Sequence, residues 1–248
     1  MHSSANSFTI LASVDSTNNY AMGAIRDGVA KHGGAWFSYE QTLGKGRRGK
    51  IWNTEKGKNV ILSIAVRPAF LTVYQQFHLS CAVSLACFDF FKKYAGNPTK
   101  IKWPNDIFWN DRKAGGILIE NIIKGNVWQW AVIGVGINVN QTNFNLHASF
   151  PPVSLKQITG KEYDIVELGK ELHAAILKRY EELQKNGVEK MLTEYNQYLF
   201  SLDKKVKLKK ANIVFETTVK SVSPQGQLIT VDTLERHFDF DEVVWLRD

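Results

Sequence analysis

Two apolar runs, residues 116–123 and 127–138, flank the short turn Lys124-Gly125-Asn126. Long runs of this kind on either side of a glycine-containing turn predict a β-hairpin. A hairpin is marginal alone, so the chain must supply further strands and a helical cover. The cover is legible at 74–94, where Phe77, Cys81, Leu85, Phe88 and Phe91 fall at helical spacing and Lys92 and Lys93 follow on the outer side. Gly96-Asn97-Pro98 ends that helix. Further strands are expected at 8–13, 35–41, 59–67, 100–103 and 107–109, with Asn110-Asp111-Arg112 as a turn. Helices are expected at 19–26, behind capping side chains at 15–18, and at 154–159, 165–186 and 188–199.

The texture changes after Ser201. Short strands at 205–208, 213–221, 228–231, 235–240 and 243–246, with turns such as Pro224-Gln225-Gly226, predict a small barrel. A chain of 248 residues fits one main domain, 1–200, with an appendage, 201–248. The appendage is too small for a catalytic centre, so packing or partner docking is its expected role.

Net charge is +7, which suits nucleic acid, a membrane surface, a nucleotide or an acidic partner without choosing among them. Lys204, Lys205, Lys207, Lys209 and Lys210 read as a solvated basic face. Cys81 and Cys87 are six apart on the predicted helix, off a shared face, so free buried thiols in a reducing compartment are expected and no metal-ligand spacing exists. The first residues lack a basic segment followed by an apolar core, and no apolar run reaches membrane-span length, so a cytoplasmic location is expected, without a membrane.

The sharpest chemical feature is Gly44-Lys45-Gly46-Arg47-Arg48-Gly49. Its glycines let backbone approach a ligand, and its three cations suit a phosphate. The Walker spacing is missing and no helix follows directly, which excludes two common phosphate motifs. On composition alone, a solvated basic loop or an RNA-contacting loop remains open. The surrounding stretch 42–58 has little apolar periodicity and reads as a mobile loop, as does 140–149. Lys102-Trp103-Pro104-Asn105-Asp106 joins a rigid turn to an amide and a carboxylate, Lys113 stands at the mouth of a strand, and Gly134-Val135-Gly136-Ile137-Asn138 leaves room for a flat ligand against a sheet.

The order of these pieces resembles that of biotin–protein ligases: Ser16-Thr17-Asn18, Gln41, the 44–49 loop, Trp52, the 102–106 stretch, Arg112-Lys113-Ala114-Gly115-Gly116-Ile117-Leu118 and Gly136-Ile137-Asn138. The resemblance spans roughly residues 8 to 160 and continues more weakly into the barrel. It implies an α+β fold: a class II synthetase-like catalytic domain with a central mixed sheet flanked by helices, plus a C-terminal SH3-like β-barrel. It also implies a biotin–[acetyl-CoA-carboxylase] ligase that joins biotin to ATP as biotinyl-5'-AMP and passes the biotin to a lysine of a biotin carboxyl carrier domain. Magnesium would enter with ATP, no protein-held metal is expected, and a homodimer is open.

By the same resemblance, Lys113, Arg47 and Asp106 are the catalytic candidates. Ser16, Thr17, Asn18, Gln41, Lys45, Gly46, Arg47, Lys113 and Gly116 would bind biotin. Arg47, Arg48, Trp52, Asn105, Lys113 and Asn138 would bind ATP or the adenylate. Asp106 would orient or deprotonate the incoming amine, or serve as a turn-stabilising Asx residue. Trp52 would pack over the ligand or clasp the closed loop. The sequence departs from the family pattern at Lys45, where arginine is commoner, and at Ala114-Gly115, where Leu-Ala is usual. Tryptophan is absent from 140–152, leaving Phe144 or Phe150 to stack on adenine. The first strand begins by Phe8, so no N-terminal DNA-binding domain, and no DNA partner, is expected. The rival readings are a lipoate–protein ligase or octanoyltransferase of the same superfamily and a nucleic-acid-binding module.

Overall fold

A computed structural model describes residues 7–144 and 150–247 of the chain. The first sheet contains β1 (Phe8–Leu11), β2 (Gly34–Ser38), β3 (Val60–Val66), β4 (Thr99–Lys102), β5 (Asp106–Trp109), β6 (Arg112–Lys124) and β7 (Val127–Ile137). Their order is β1-β2-β3-β7-β6-β5-β4. β1 and β2 are parallel and every other pairing is antiparallel, so the sheet is mixed.

Both faces of this sheet are covered, and the strand sequences record it with a period of two. In β3, Val60, Leu62, Ile64 and Val66 enter the main core, under α2 (Gln76–Ala95) and α4 (Ile165–Asn186). Ala65 points the other way and joins Trp36, Trp130 and Val132 beneath α1 (Thr17–Arg26). In β7, Ala131, Ile133, Val135 and Ile137 take the main-core side. The intervening positions 134 and 136 are glycines, and there the α1 face of the sheet is left bare.

Short α3 (Leu155–Thr159) and α5 (Glu189–Gln197) complete the helical layer. The N-terminus of α4 is capped by Asp164, whose Oδ1 accepts from the amides of Val166 and Glu167 at 2.9 and 3.1 Å. The start of α1 is different. Ser16 occupies its N-cap position without a side-chain bond, and the Thr17 amide instead donates to Gln41 Oε1 at 2.8 Å.

The second sheet is antiparallel: β8 (Lys205–Lys210), β9 (Ile213–Val222), β10 (Leu228–Val231), β11 (Glu235–Phe238) and β12 (Val244–Leu246), in the order β11-β10-β9-β8-β12. Its Leu208, Val219, Leu228 and Trp245 belong to the same apolar cluster as the first sheet. Trp103 Nε1 donates to the Gly226 carbonyl at 2.8 Å across that junction. Cys81 and Cys87 are buried free thiols, and burial pushes Cys81 up to about 12 and Cys87 higher still.

Helix α1 starts two residues before the expected 19 and β2 ends at Ser38 rather than at 41, and two further segments differ more. β6 starts at Arg112 rather than at 116, because Lys113 pairs both with β5 and with the chain at 151–153, exchanging bonds with the Pro151 carbonyl and the Val153 amide at 2.9 Å each. The 44–52 stretch, expected to be irregular, is a small hairpin: Trp52 N bonds Gly44 O at 2.8 Å and Gly46 N bonds Lys50 O at 2.7 Å. Backbone pairing needs no apolar periodicity, so the sequence pattern does not announce it. The expected loop at 140–149 lies partly outside the described residues, which omit 145–149.

Lys102 lies where the two sheets meet. It is 7% exposed, and its amine is 4.7 Å from the Trp245 ring centroid, 5.0 Å from Phe150 and 5.4 Å from Phe108. The rings recover part of the desolvation cost through cation–π contact. Burial nevertheless brings its pKa down to about 8, against the opposing pull of Asp106. Between pH 8 and its ordinary value of 10.5 the unfolded chain holds a proton that the folded chain lacks, so this group adds stability as pH rises through that window. The melting temperature of the wild type should therefore gain a few degrees on that of Lys102→Met between pH 7.5 and 10. A constant difference would show that Lys102 is not the charged, buried group described.

Candidate active site

The bare α1 face of β7 is the floor of a pocket. A Cβ added at position 134 would lie 2.3 Å from Asn18 Oδ1, and one at position 136 would lie 2.5 Å from Trp52 Cε2 and Nε1. Only glycine lets an amide and an indole approach the sheet so closely. Gly116 of the neighbouring β6 lies under the same indole, 3.3 Å from its Cζ3 by the same measure.

One end of the pocket is neutral and rich in hydrogen-bonding groups. Ser16, Thr17 and Asn18 form the first turn of α1 and are buried. Gln41 Oε1 accepts from both the amide and the hydroxyl of Thr17, at 2.8 and 3.1 Å. The Ser63 hydroxyl, from the α1 face of β3, lies 2.7 Å from Thr17 Oγ1 and 2.6 Å from Asn18 Oδ1. Asn18 Nδ2 donates to Glu120 Oε2 of β6 at 2.7 Å. These bonds orient the amide and hydroxyl groups of the corner before any ligand arrives.

The other end is cationic. Lys113 and the hairpin residues Lys45 and Arg47 line it together with Asn105 and Gly46. Lys113 Nζ is 2.7 Å from Asp106 Oδ1, an ion pair with both side chains only partly exposed, and lies 5.5 Å from the Trp52 ring centroid. Among the described residues, Asp106 Oδ1 gains no aligned hydrogen bond and the buried Trp52 indole N–H meets no partner. Asn105 is fixed by donation to the Ile117 carbonyl at 2.7 Å. Lys45 Nζ is 3.6 Å from Glu120 Oε1, which places Glu120 between the two ends.

The structure therefore brings together Ser16, Thr17, Asn18, Gln41, Lys45, Gly46, Arg47, Trp52, Asn105, Lys113 and Gly116 around one cavity, with Asp106 beside Lys113. Arg48 and Asn138 are placed elsewhere. The Arg48 side chain turns to Asp241 of the C-terminal sheet. Asn138 is 4% exposed and its amide donates to the carbonyls of Lys113 and Val153, 3.2 Å each, so it braces the chain behind Lys113. Phe150 is packed edge-on against Phe108 and Phe200, at centroid distances of 5.2 and 6.2 Å. The space above Gly136, expected to admit a flat ligand, holds the Trp52 indole, which clasps the hairpin down. Ser63, Glu120 and Asp241 are the participants the sequence did not mark. A serine alternating with apolar residues in β3 is the sole trace of the first.

The model of the biotin/lipoate A/B protein ligase family matches residues 10–138, just over half of the chain. The bifunctional ligase/repressor BirA of Bacillus subtilis is 27% identical over 192 residues, covering 77% of this chain and 59% of that protein. The chain thus spans about three-fifths of the length of such relatives. The biotin–[acetyl-CoA-carboxylase] ligase of Paracoccus denitrificans is 34% identical over 163 residues, 62% of this chain and 65% of that one. Among solved structures, the biotin protein ligase of Aquifex aeolicus in complex with biotin and ATP superposes with a TM-score of 0.82 at 22% identity, over 98% of this chain and 99% of its own. The fold is accordingly that of the biotin ligase catalytic domain with a C-terminal SH3-like sheet. With its glycine-floored pocket formed inside the matched region, the chain belongs to the biotin/lipoate A/B protein ligase family.

Proposed function

We propose that the chain is an ATP-dependent biotin–protein ligase, with residues 1–200 as the catalytic domain and 201–248 as the appended barrel. The observation that carries this reading is the division of one pocket into a neutral polar end, at Ser16, Thr17 and Asn18, and a cationic end, at Lys113 and Arg47. A ureido ring has donors and acceptors to match the first, and a valeryl carboxylate meeting a phosphate matches the second. A dithiolane ring has no use for the polar end, which favours biotin over lipoate. The relatives named as biotin ligases support the same choice.

In the first half-reaction a biotin carboxylate oxygen attacks the α-phosphorus of ATP and pyrophosphate leaves. Lys113 and Arg47 stabilise the charge that gathers on the oxygens as the bond forms. Magnesium accompanies ATP as its phosphate complex. The carboxylates at the pocket, Asp106 and Glu120, are each engaged by a lysine, and among the described residues no three His, Cys, Asp or Glu side chains cluster to hold a metal. In the second half-reaction a lysine amine of a carrier domain attacks the acyl carbon and AMP leaves. Once Lys113 transfers its allegiance from Asp106 to the phosphate, Asp106 is free to accept the amine proton. The enzyme acts in the cytoplasm, where ATP and its carrier are available.

Incubation with labelled biotin, ATP, magnesium and a biotin carboxyl carrier domain should put label on the carrier only when ATP is present, with lipoate a poor competitor. No transfer, together with no biotin-dependent rise in melting temperature, would overturn the reading. Lys113→Ala should slow adenylate formation about 100- to 1000-fold, measured by pyrophosphate exchange. Loss confined to transfer onto the carrier would contradict its role. Arg47→Gly should let adenylate escape, seen as label on bystander lysines. Gly134→Ala would force Asn18 off the floor, an overpacking worth about 1–3 kcal/mol. Its biotin Kd should rise roughly tenfold with the ATP Kd unchanged, and an equal loss of both would argue against a biotin-specific corner.

A further inference from the structure

The glycine-rich hairpin meets the C-terminal sheet at Asp241 and Phe240. Asp241 lies in the turn between β11 and β12. Its Oδ1 is 2.6 Å from Arg48 Nε, and its own backbone carbonyl accepts from Arg48 Nη2. Arg47 Nη2 reaches both Asp241 oxygens, at 3.3 Å each. The Arg47 guanidinium also lies 5.2 Å from the Phe240 ring centroid. Phe240 in turn leans on Trp103 at 5.7 Å and Phe77 at 6.1 Å, so the turn rests on the same stretch that ends in Asp106.

The backbone supports a specific role for this contact. Arg48 has φ 57° and Asp241 φ 77°, both in the left-handed region. Aspartate visits that region with modest strain, but for a long side chain such as arginine it is unusual and must be held by its surroundings. The two residues so held face one another.

The two arginines are not held alike. Arg48 makes the short contact and the bond to backbone; it does not line the glycine-floored pocket and borders only the adjoining cavity on the hairpin. Arg47 makes only long contacts to Asp241 and does line the pocket. We propose that Asp241 is a positioning residue for the glycine-rich hairpin: it anchors Arg48, keeping the hairpin seated at the pocket while Arg47 is left free to exchange Asp241 for a phosphate. The phosphate part rests on the ligase reading, whereas the anchoring does not.

Hydrogen exchange of residues 43–52 in the ligand-free full chain tests the anchor. Asp241→Asn keeps the shape and the tolerance for positive φ while removing the charge. It should raise exchange there about two- to fivefold, the scale of one exposed ion pair, with helix α2 unchanged. Arg48→Ala should do the same, and the double variant should exchange no faster than either single one. Asp241→Glu should recover part of the protection. In turnover, Asp241→Asn should release more adenylate to bystander lysines, while pyrophosphate exchange falls far less than in Lys113→Ala, because Lys113 does not depend on the hairpin. Unchanged exchange at 43–52 in Asp241→Asn, or additive effects in the double variant, would overturn the anchor. Raised exchange without adenylate leakage would overturn its role in retention. A wild type that transfers no biotin would defeat the ligase reading while leaving the exchange result to stand on its own.

Discussion

Close approach to a glycine floor is the constraint on which this site depends. The side chains of β7 alternate between two faces, and the sequence spends one face on the core through Ala131, Ile133, Val135 and Ile137. On the other face Gly134 and Gly136 leave backbone exposed to the first turn of α1 and to the hairpin. Asn18 and Trp52 then sit where side chains of β7 would otherwise stand. Any larger residue at either position would push the polar corner or the clasp away from the sheet, and the pocket would lose its depth.

Upon that floor the charges are arranged as mutual placeholders. Lys113 is matched to Asp106, Lys45 to Glu120, and Arg47 and Arg48 to Asp241. Each cation proposed to meet a phosphate is thus compensated within the protein, at distances from 2.6 to 3.6 Å. A group of cations left uncompensated at a partly buried site would repel one another and loosen the hairpin. The arrangement lets an incoming anion substitute for a carboxylate rather than pay the whole cost of assembling the site.

Much of this is legible in the chain because it is written locally. The hairpin of β6 and β7, the long helix α2 and the five short C-terminal strands follow from period and turn residues, whereas Thr17 and Asn18, expected as caps ahead of α1, lie within its first turn. The glycines of the floor are visible as gaps in an apolar strand. What escapes is whatever depends on distant pairing. Ser63 meets Asn18 across 45 residues and Glu120 meets it across 102. Asp241 meets the arginines across 193 and 194. A lone serine, glutamate or aspartate carries no local mark of such a meeting. Lys113 was visible as a cation, but its place inside β6 depends on pairing with 151–153, which no local pattern dictates.

The central claim is that one pocket binds the ureido ring at its neutral end and an acyl-phosphate at its cationic end. Calorimetric binding of a non-hydrolysable biotinyl-adenylate analogue tests it most directly. The account predicts an affinity at least about 100-fold above that of biotin alone, as expected for a site complementary to the intermediate, and loss of most of that advantage in Lys113→Ala. Equal affinities for the analogue and biotin, or an advantage indifferent to Lys113, would contradict it.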